Sequence, residues 1–176
     1  MTGSERDVLE VLTFPDSRLR VKAEKVTVFD GELARLAEAM MRAMYDNSGM
    51  GLAAPQVGEA IQMVVTDFNA PDHNPATRCP KAWVNPEIRE RTGEMTTEEG
   101  CLSLPGFRAL VARAESVTVV YQTLEGESRQ ENLTGLDAVC LQHEIDHLSG
   151  KLFIDHLPPV RREMIKKKLT RQARSA

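Results

Sequence analysis

Residues 134 to 150 read TGLDAVCLQHEIDHLSG. Thr134-Gly-Leu-Asp137 has the form of a capping box, with aspartate in place of the usual glutamate, and it predicts a helix opening here. Gly150 supplies a stop, so the helix should run to about Leu148. Leu136, Val139 and Cys140 mark one apolar stripe, while Leu141, Ile145 and Leu148 mark another. Apolar residues on two sides predict a helix enclosed by the rest of the chain.

That helix carries His143-Glu-Ile-Asp-His147, so two of the chain's four histidines lie one helical turn apart. Residues four apart share a face, and both imidazoles can reach one metal ion. Glu144 is offset around the helix yet close enough to hold a water and carry its proton. Two imidazoles and two carboxylates, Glu144 and Asp146, are costly to enclose unless a cation pairs them. A catalytic ion of this kind takes three protein ligands and leaves one position open. The residues leave the third ligand undecided. His156 and Asp155 lie downstream but lack the glycine-bearing spacing of a metzincin extension. Cys140 shares the face of the histidines, although its short thiol points toward the previous turn. Cys101 lies in Glu-Glu-Gly-Cys-Leu-Ser, where glycine permits a tight backbone near an ion.

Outward from this helix the chain reads as an α+β protein: antiparallel or mixed strands around a central enclosed helix, with an N-terminal surface helix and a C-terminal helix. Residues 30 to 48 form the surface helix, with Asp30 as N-cap and Leu33, Leu36, Ala37, Met40, Met41 and Met44 at helical spacing. The three methionines read as core packing. Ile61 to Phe68 reads as a buried strand. Residues 69 to 81, rich in proline and asparagine, read as a surface loop that holds a solvated His73. Trp83 to Ile88 reads as a strand that Pro86 confines to an edge or a strand end. Ser116 to Thr123 alternates Val117, Val119 and Tyr121 with polar residues, and Glu125-Gly126 can turn it back.

The length of 176 residues suits one domain, and 41% apolar with 27% charged residues suits a globular protein. A net charge of −4 gives no bulk attraction to nucleic acid or anionic membrane. No stretch is apolar enough for a bilayer span, and MTGSERDVLEVLTF does not read as a secretory leader. Three cysteines (Cys79, Cys101, Cys140) suggest no disulfide framework and fit a reducing cytoplasm.

Three stretches resemble the signature motifs of the bacterial-type (type I) peptide deformylases: Gly49-Met-Gly-Leu-Ala-Ala-Pro-Gln56, Glu99-Gly-Cys-Leu-Ser103 and Gln142-His-Glu-Ile-Asp-His-Leu-Ser-Gly150. They occur in the family's order, and Asn85-Pro86, Arg108-Ala-Leu-Val and Leu152-Phe153 extend the likeness over most of the chain. The resemblance implies a single deformylase domain over residues 1–176. It implies metal-dependent removal of the N-formyl group from N-formylmethionyl peptides of nascent proteins, with release of formate. Cys101, His143 and His147 would hold one divalent ion, Fe2+ in the native enzyme, with Zn2+, Ni2+ or Co2+ as substitutes. Glu144 would activate water, while Gln56 and the backbone N–H of Leu102 would hold the oxyanion. By position, Gly51 would contact the formyl-methionine backbone. Met50, Leu136, Val139, Cys140 and His143 would form the methionine pocket, and Arg108 would meet the peptide further down. The expected protein is a cytoplasmic monomer without membrane contact.

Residues 161 to 174 carry seven basic residues and one acid, with Ile165, Leu169 and Ala173 as a packing seam. By composition this reads as a solvated, charged helix, while the resemblance to bacterial deformylases with a basic C-terminal helix implies transient docking on the ribosome. Two other readings share the helix motif: a peptidase that cuts internal bonds, and a metal-binding module without catalysis. Cys101 and the glycine-rich first motif disfavour the former, and the presence of Glu144 and Gln56 disfavours the latter.

Overall fold

The computed structural model describes residues 8–176; residues 1–7, at the head of the stretch read above for a leader, lie outside the description. The central helix, α2, spans Gly135–Leu148. Its first turn departs from the expected box, because the Thr134 side chain makes no capping hydrogen bond. Thr134 instead ends a strand in extended geometry, and Gly135 turns the chain at φ +63°. The Gly135 N–H donates to Glu115 O at 2.8 Å, so the turn just before a neighbouring strand anchors the start of the helix in place of a side-chain cap. At the other end Gly150, at φ +72°, donates to His147 O. A Cβ on Gly150 would lie 2.5 Å from Arg20 O, so only glycine fits this stop. Residues 138 to 144 are buried without interruption, as two apolar stripes require.

Among the described residues there are seven strands. Five form one antiparallel sheet in the order β1-β2-β3-β6-β7: β1 Gly51–Ala53, β2 Met63–Thr66, β3 Lys81–Thr92, β6 Ser116–Gln122 and β7 Ser128–Thr134. Of these, β1, β2, β6 and β7 pack against α2. The other two, β4 Met95–Gly100 and β5 Arg108–Arg113, form a separate antiparallel hairpin. This is the α+β arrangement expected. β6 shows the alternation read from its sequence, with Val117, Val119 and Tyr121 buried.

Pro86 overturns one expectation. It lies inside β3, the middle strand of the sheet, and not at an edge. The register with β6 shifts between Val84 and Glu87, and Asn85 takes φ +49°. This irregularity lifts the proline out of the ladder, so its missing N–H breaks no strand pairing. Asn85 makes good the local loss with its side chain, which accepts from Val26 N–H and donates to Val26 O and Gln122 Oε1.

Helix α1, Gly31–Asp46, is capped by Asp30, whose carboxylate accepts from the N–H groups of Glu32 and Leu33. Met40 and Met44 are fully buried against Leu52, Met63 and Val84, while Met41 is half-buried at the margin. A second cluster centres on Trp83, packed with Val64, Val119, Tyr121 and Leu141. Helix α3, Pro159–Ser175, seats Ile165 and Leu169 against Leu152, Phe153 and Ile154. Ala173 is exposed, so the expected seam ends at Leu169, where the helix overruns the body it packs on.

Candidate active site

Helix α2 and the turn after β4 bring Cys101, His143 and His147 together, with one donor atom from each lying within 4.8 Å of the others. The two imidazoles are edge to face, their centroids 5.2 Å apart, as one helical turn dictates. Cys101 Sγ is 3.5 Å from His147 Nε2. Its turn is closed by Leu104 N–H donating to Cys101 O. The other candidate ligands go elsewhere. Cys140 Sγ lies 4.0 Å from Met50 O, and burial pushes its thiol well above its ordinary value. Asp155 pairs with Arg20, and His156 Nε2 is 2.8 Å from Asp146 Oδ2. His73 lies on the exposed loop between β2 and β3.

The donor set fits a divalent cation. Among the described residues, two buried side-chain atoms lack any hydrogen-bond partner: Glu144 Oε2, beside this cluster, and His147 Nδ1, on the side of the ring away from the Nε2 that faces Cys101. Burial, reinforced by the charge of His143, holds His147 well below its ordinary pKa, which leaves the neutral imidazole that metals bind. For His143 burial works in the same direction, but Cys101 and Glu99 outweigh it and push its pKa well above the ordinary value. A metal ion answers the same anionic surroundings that retain this proton. Burial also pushes Glu144 up to about 7. Gly51 is what admits that carboxylate, since a Cβ on Gly51 would lie 2.8 Å from Glu144 Oε1.

Gln56 sits on the single 3-10 turn Ala54–Val57 after β1, and only 1% of it is exposed. Its Oε1 accepts from Ala53 N–H at 2.9 Å, which fixes the orientation of the amide. The Nε2 is thereby aimed at Ser103 Oγ, 3.0 Å away, and at Cys101 Sγ, 3.6 Å away. A groove of about 810 Å³ runs over these groups. Met50, Gly51, Leu102, Arg108, Val139 and Cys140 line it, with Leu136 exposed at its rim. Arg108 lies along Glu98, its Nε 3.2 Å from Glu98 Oε1, and passes close over Gly100, where a Cβ would lie 2.8 Å from Arg108 Nη1. All the residues expected at the site therefore line one groove except His147, which is buried behind it beside Cys101.

Behind the histidines lies a buried charge network that the sequence reading missed. Arg113 donates to both oxygens of Glu99, at 2.6 and 2.9 Å, and to Asp146 at 2.9 Å. Glu99 in turn meets His143 Nδ1 at 2.8 Å. Burial alone would raise Glu99, but the His143 and Arg113 contacts outweigh it and hold the carboxyl below its ordinary range. The same contest brings Asp146 down to about 2, through His156 and Arg113. A sequence signal existed: Ala109, Val111 and Arg113 occupy one face of β5, so a period of two places an arginine in the core.

Residues 8–163 match the model of the polypeptide deformylase family. The peptide deformylase of Alkalilimnicola ehrlichii is 44% identical, over 95% of this chain and 92% of its own length. Peptide deformylase 1 of Shewanella oneidensis is also 44% identical, over 95% of this chain and 96% of its own. The crystal structure of a peptide deformylase from Legionella pneumophila superposes with a TM-score of 0.85 at 43% identity, covering 95% of this chain and 96% of that one. Alike in sequence along nearly its whole length and in the path of its backbone, the chain belongs to the polypeptide deformylase family of enzymes.

Proposed function

We propose that this chain hydrolyses the N-formyl group from N-formylmethionyl peptides of nascent proteins and releases formate. The observation that carries the reading is the convergence of the Cys101, His143 and His147 donors within 4.8 Å, beside a buried glutamate with an unpartnered oxygen. One divalent ion held by these three residues would supply a Lewis acid that makes water a competent nucleophile near neutral pH. We take Fe2+ as the native ion, with Zn2+, Ni2+ or Co2+ as substitutes, since thiolate and imidazole suit all four. Glu144 takes a proton from the attacking water and returns it to the departing amine as the C–N bond breaks. A carboxyl raised to about 7 can perform both transfers near neutral pH. Gln56 Nε2 and the Leu102 backbone N–H stabilise the charge that grows on the formyl oxygen. Gln56 needs no reorganisation for this, because Ala53 already fixes its amide.

β1 and β4 each pair on one side only, and both contribute residues to the groove. The peptide is read as an added strand there, with Gly51 on the formyl-methionine backbone. Met50, Leu136, Val139 and Cys140 receive the methionine side chain, and Arg108 meets the peptide downstream. The chain works as one domain and as a monomer in the cytoplasm, where formylated chains emerge. Among the described residues no helix is long and apolar enough to cross a membrane. The basic face of α3 is assigned to transient ribosome contact. A Glu144→Ala variant tests the reaction: it should retain metal and release no formate from formyl-Met-Ala-Ser, whereas undiminished release would remove Glu144 from the chemistry.

A further inference from the structure

We propose that a second, polar cavity beside the groove is a subsite for a carboxylate on the peptide, held by Arg78, and that it favours substrates with acidic residues after the formyl-methionine. The proposal rests on the deformylase reading. The cavity lies between the end of α1 and the loop of residues 69–80, with Tyr45 and Ser48 on one side and His73, Asn74 and Arg78 on the other. At about 90 Å³ it is large enough for a carboxylate and too small for a bulky apolar side chain. Ser48 and Gly49 line both this cavity and the groove, so a peptide lying along the first motif passes their common wall.

Arg78 is held for this role. Its guanidinium stacks 4.1 Å from the centroid of the Tyr45 ring. The ring is fixed by Tyr45 OH, which donates to Asp67 Oδ2 at 2.6 Å, and the same oxygen accepts from Cys79 N–H at 3.0 Å. A stacked guanidinium keeps its edge N–H groups free for bidentate contact with a carboxylate. Asp67 does not satisfy them. It is fully buried, and its two oxygens are occupied by Tyr45 OH, Cys79 N–H and Asn69 N–H. No aspartate or glutamate lines the cavity, in a chain whose net charge is −4. On the other rim, Arg108 is engaged by Glu98, so its charge is already matched. Discrimination by charge therefore falls to Arg78. Arg78 is exposed, and a contact there is screened by salt and modest in size.

The test measures formate release from formyl-Met-Glu-Glu-amide, formyl-Met-Gln-Gln-amide, formyl-Met-Lys-Lys-amide and formyl-Met-Gln-Gln as the free acid. The first pair reads a side-chain carboxylate, and the free acid reads a terminal one. The wild type should favour the Glu peptide over the Gln peptide about fivefold in kcat/KM, mostly through KM, with the ratio shrinking in added salt. Arg78→Gln should bring that ratio to about one, and Arg78→Glu should turn the preference toward the Lys peptide. Equal kcat/KM for the Glu and Gln peptides in the wild type, or a preference that survives Arg78→Gln, would overturn the subsite. Preference confined to the free acid would restrict the site to chain ends and overturn the side-chain preference. Absence of formate from every peptide would instead overturn the deformylase reading, and the subsite with it.

Discussion

Glu99 Oε1 lies 2.8 Å from His143 Nδ1, while both oxygens of the same carboxylate are held by Arg113. This contact leaves the opposite nitrogen, Nε2, free to face Cys101 and His147, and would make the ring a stronger donor to a bound cation. Replacing Glu99 with Gln should weaken metal binding by roughly 10- to 100-fold. Competition with a chelator reads this directly. Glu98→Gln, which alters an exposed carboxylate one residue away, should leave metal affinity as it was. Equal effects of the two substitutions would deny the contact its role.

Arg113 is 4% exposed at its side chain and joins Glu99 to Asp146. Arg113→Ala would remove the guanidinium shared by buried Glu99 and partly buried Asp146, leaving each with a histidine alone, and should cost about 3–5 kcal/mol of folding stability. Urea unfolding measures the loss. A cost below about 1 kcal/mol, the range of an exposed ion pair, would show that solvent reaches the network.

Gly51→Ala separates packing from chemistry. Its new methyl would meet the flexible Glu144 side chain at 2.8 Å, so the carboxylate should move before the backbone does. Metal content and thermal midpoint should change little, while kcat should fall by about 100-fold or more, the usual contribution of a positioned base. A large fall in thermal midpoint with normal kcat would contradict this.

Asp155 offers a test in acid. Burial would raise its pKa, but Arg20, with Nη1 2.6 Å away, and the Leu152 N–H hold it below the ordinary range. A carboxyl depressed in the folded state contributes stability above its unfolded value, near 4, and loses it as the pH falls through the folded value. Asp155→Asn should therefore cost up to about 1 kcal/mol at neutral pH, a small figure because the pair is partly exposed. The difference from wild type should close in acid. A difference that stays constant with pH would assign the effect to shape and not to charge.

The tail divides into packing and charge. Leu169 is 2% exposed, and Leu169→Ala should cost about 2–5 kcal/mol. Lys167, Lys168, Arg171 and Arg174 are exposed, so replacing them with Gln should leave folding stability alone. The same replacement should weaken ribosome binding and flatten its salt dependence. Unchanged ribosome affinity would remove the proposed contact. Deleting residues 161–176 is the poorer experiment, because it would uncover the core that Ile165 and Leu169 cover.

Much of this architecture was legible from periodicity. The two apolar stripes of α2 gave an enclosed helix, and His143 and His147 at helical spacing gave two imidazoles that converge on one point. What escaped depends on long-range pairing. No residue near Thr134 announces that Glu115 O will anchor the helix start. Pro86 argued for an edge because a proline interrupts a flat ladder, and the positive φ of Asn85 that resolves this is a property of the assembled sheet. Arg113 and Glu99 are 14 residues apart and become partners only through the β4–β5 hairpin, which the sequence reading did not delimit. His156 is a downstream ligand candidate by position alone. Its partner proved to be Asp146, on a face of α2 that spacing alone could not assign.

The most direct test of the account measures formate released from formyl-Met-Ala-Ser by anaerobically purified protein, with metal content determined in parallel for wild type, Cys140→Ala and Cys101→Ala. The account predicts metal and formate release in the wild type and in Cys140→Ala, and neither in Cys101→Ala. A wild type that carries a full equivalent of metal and releases no formate would contradict it.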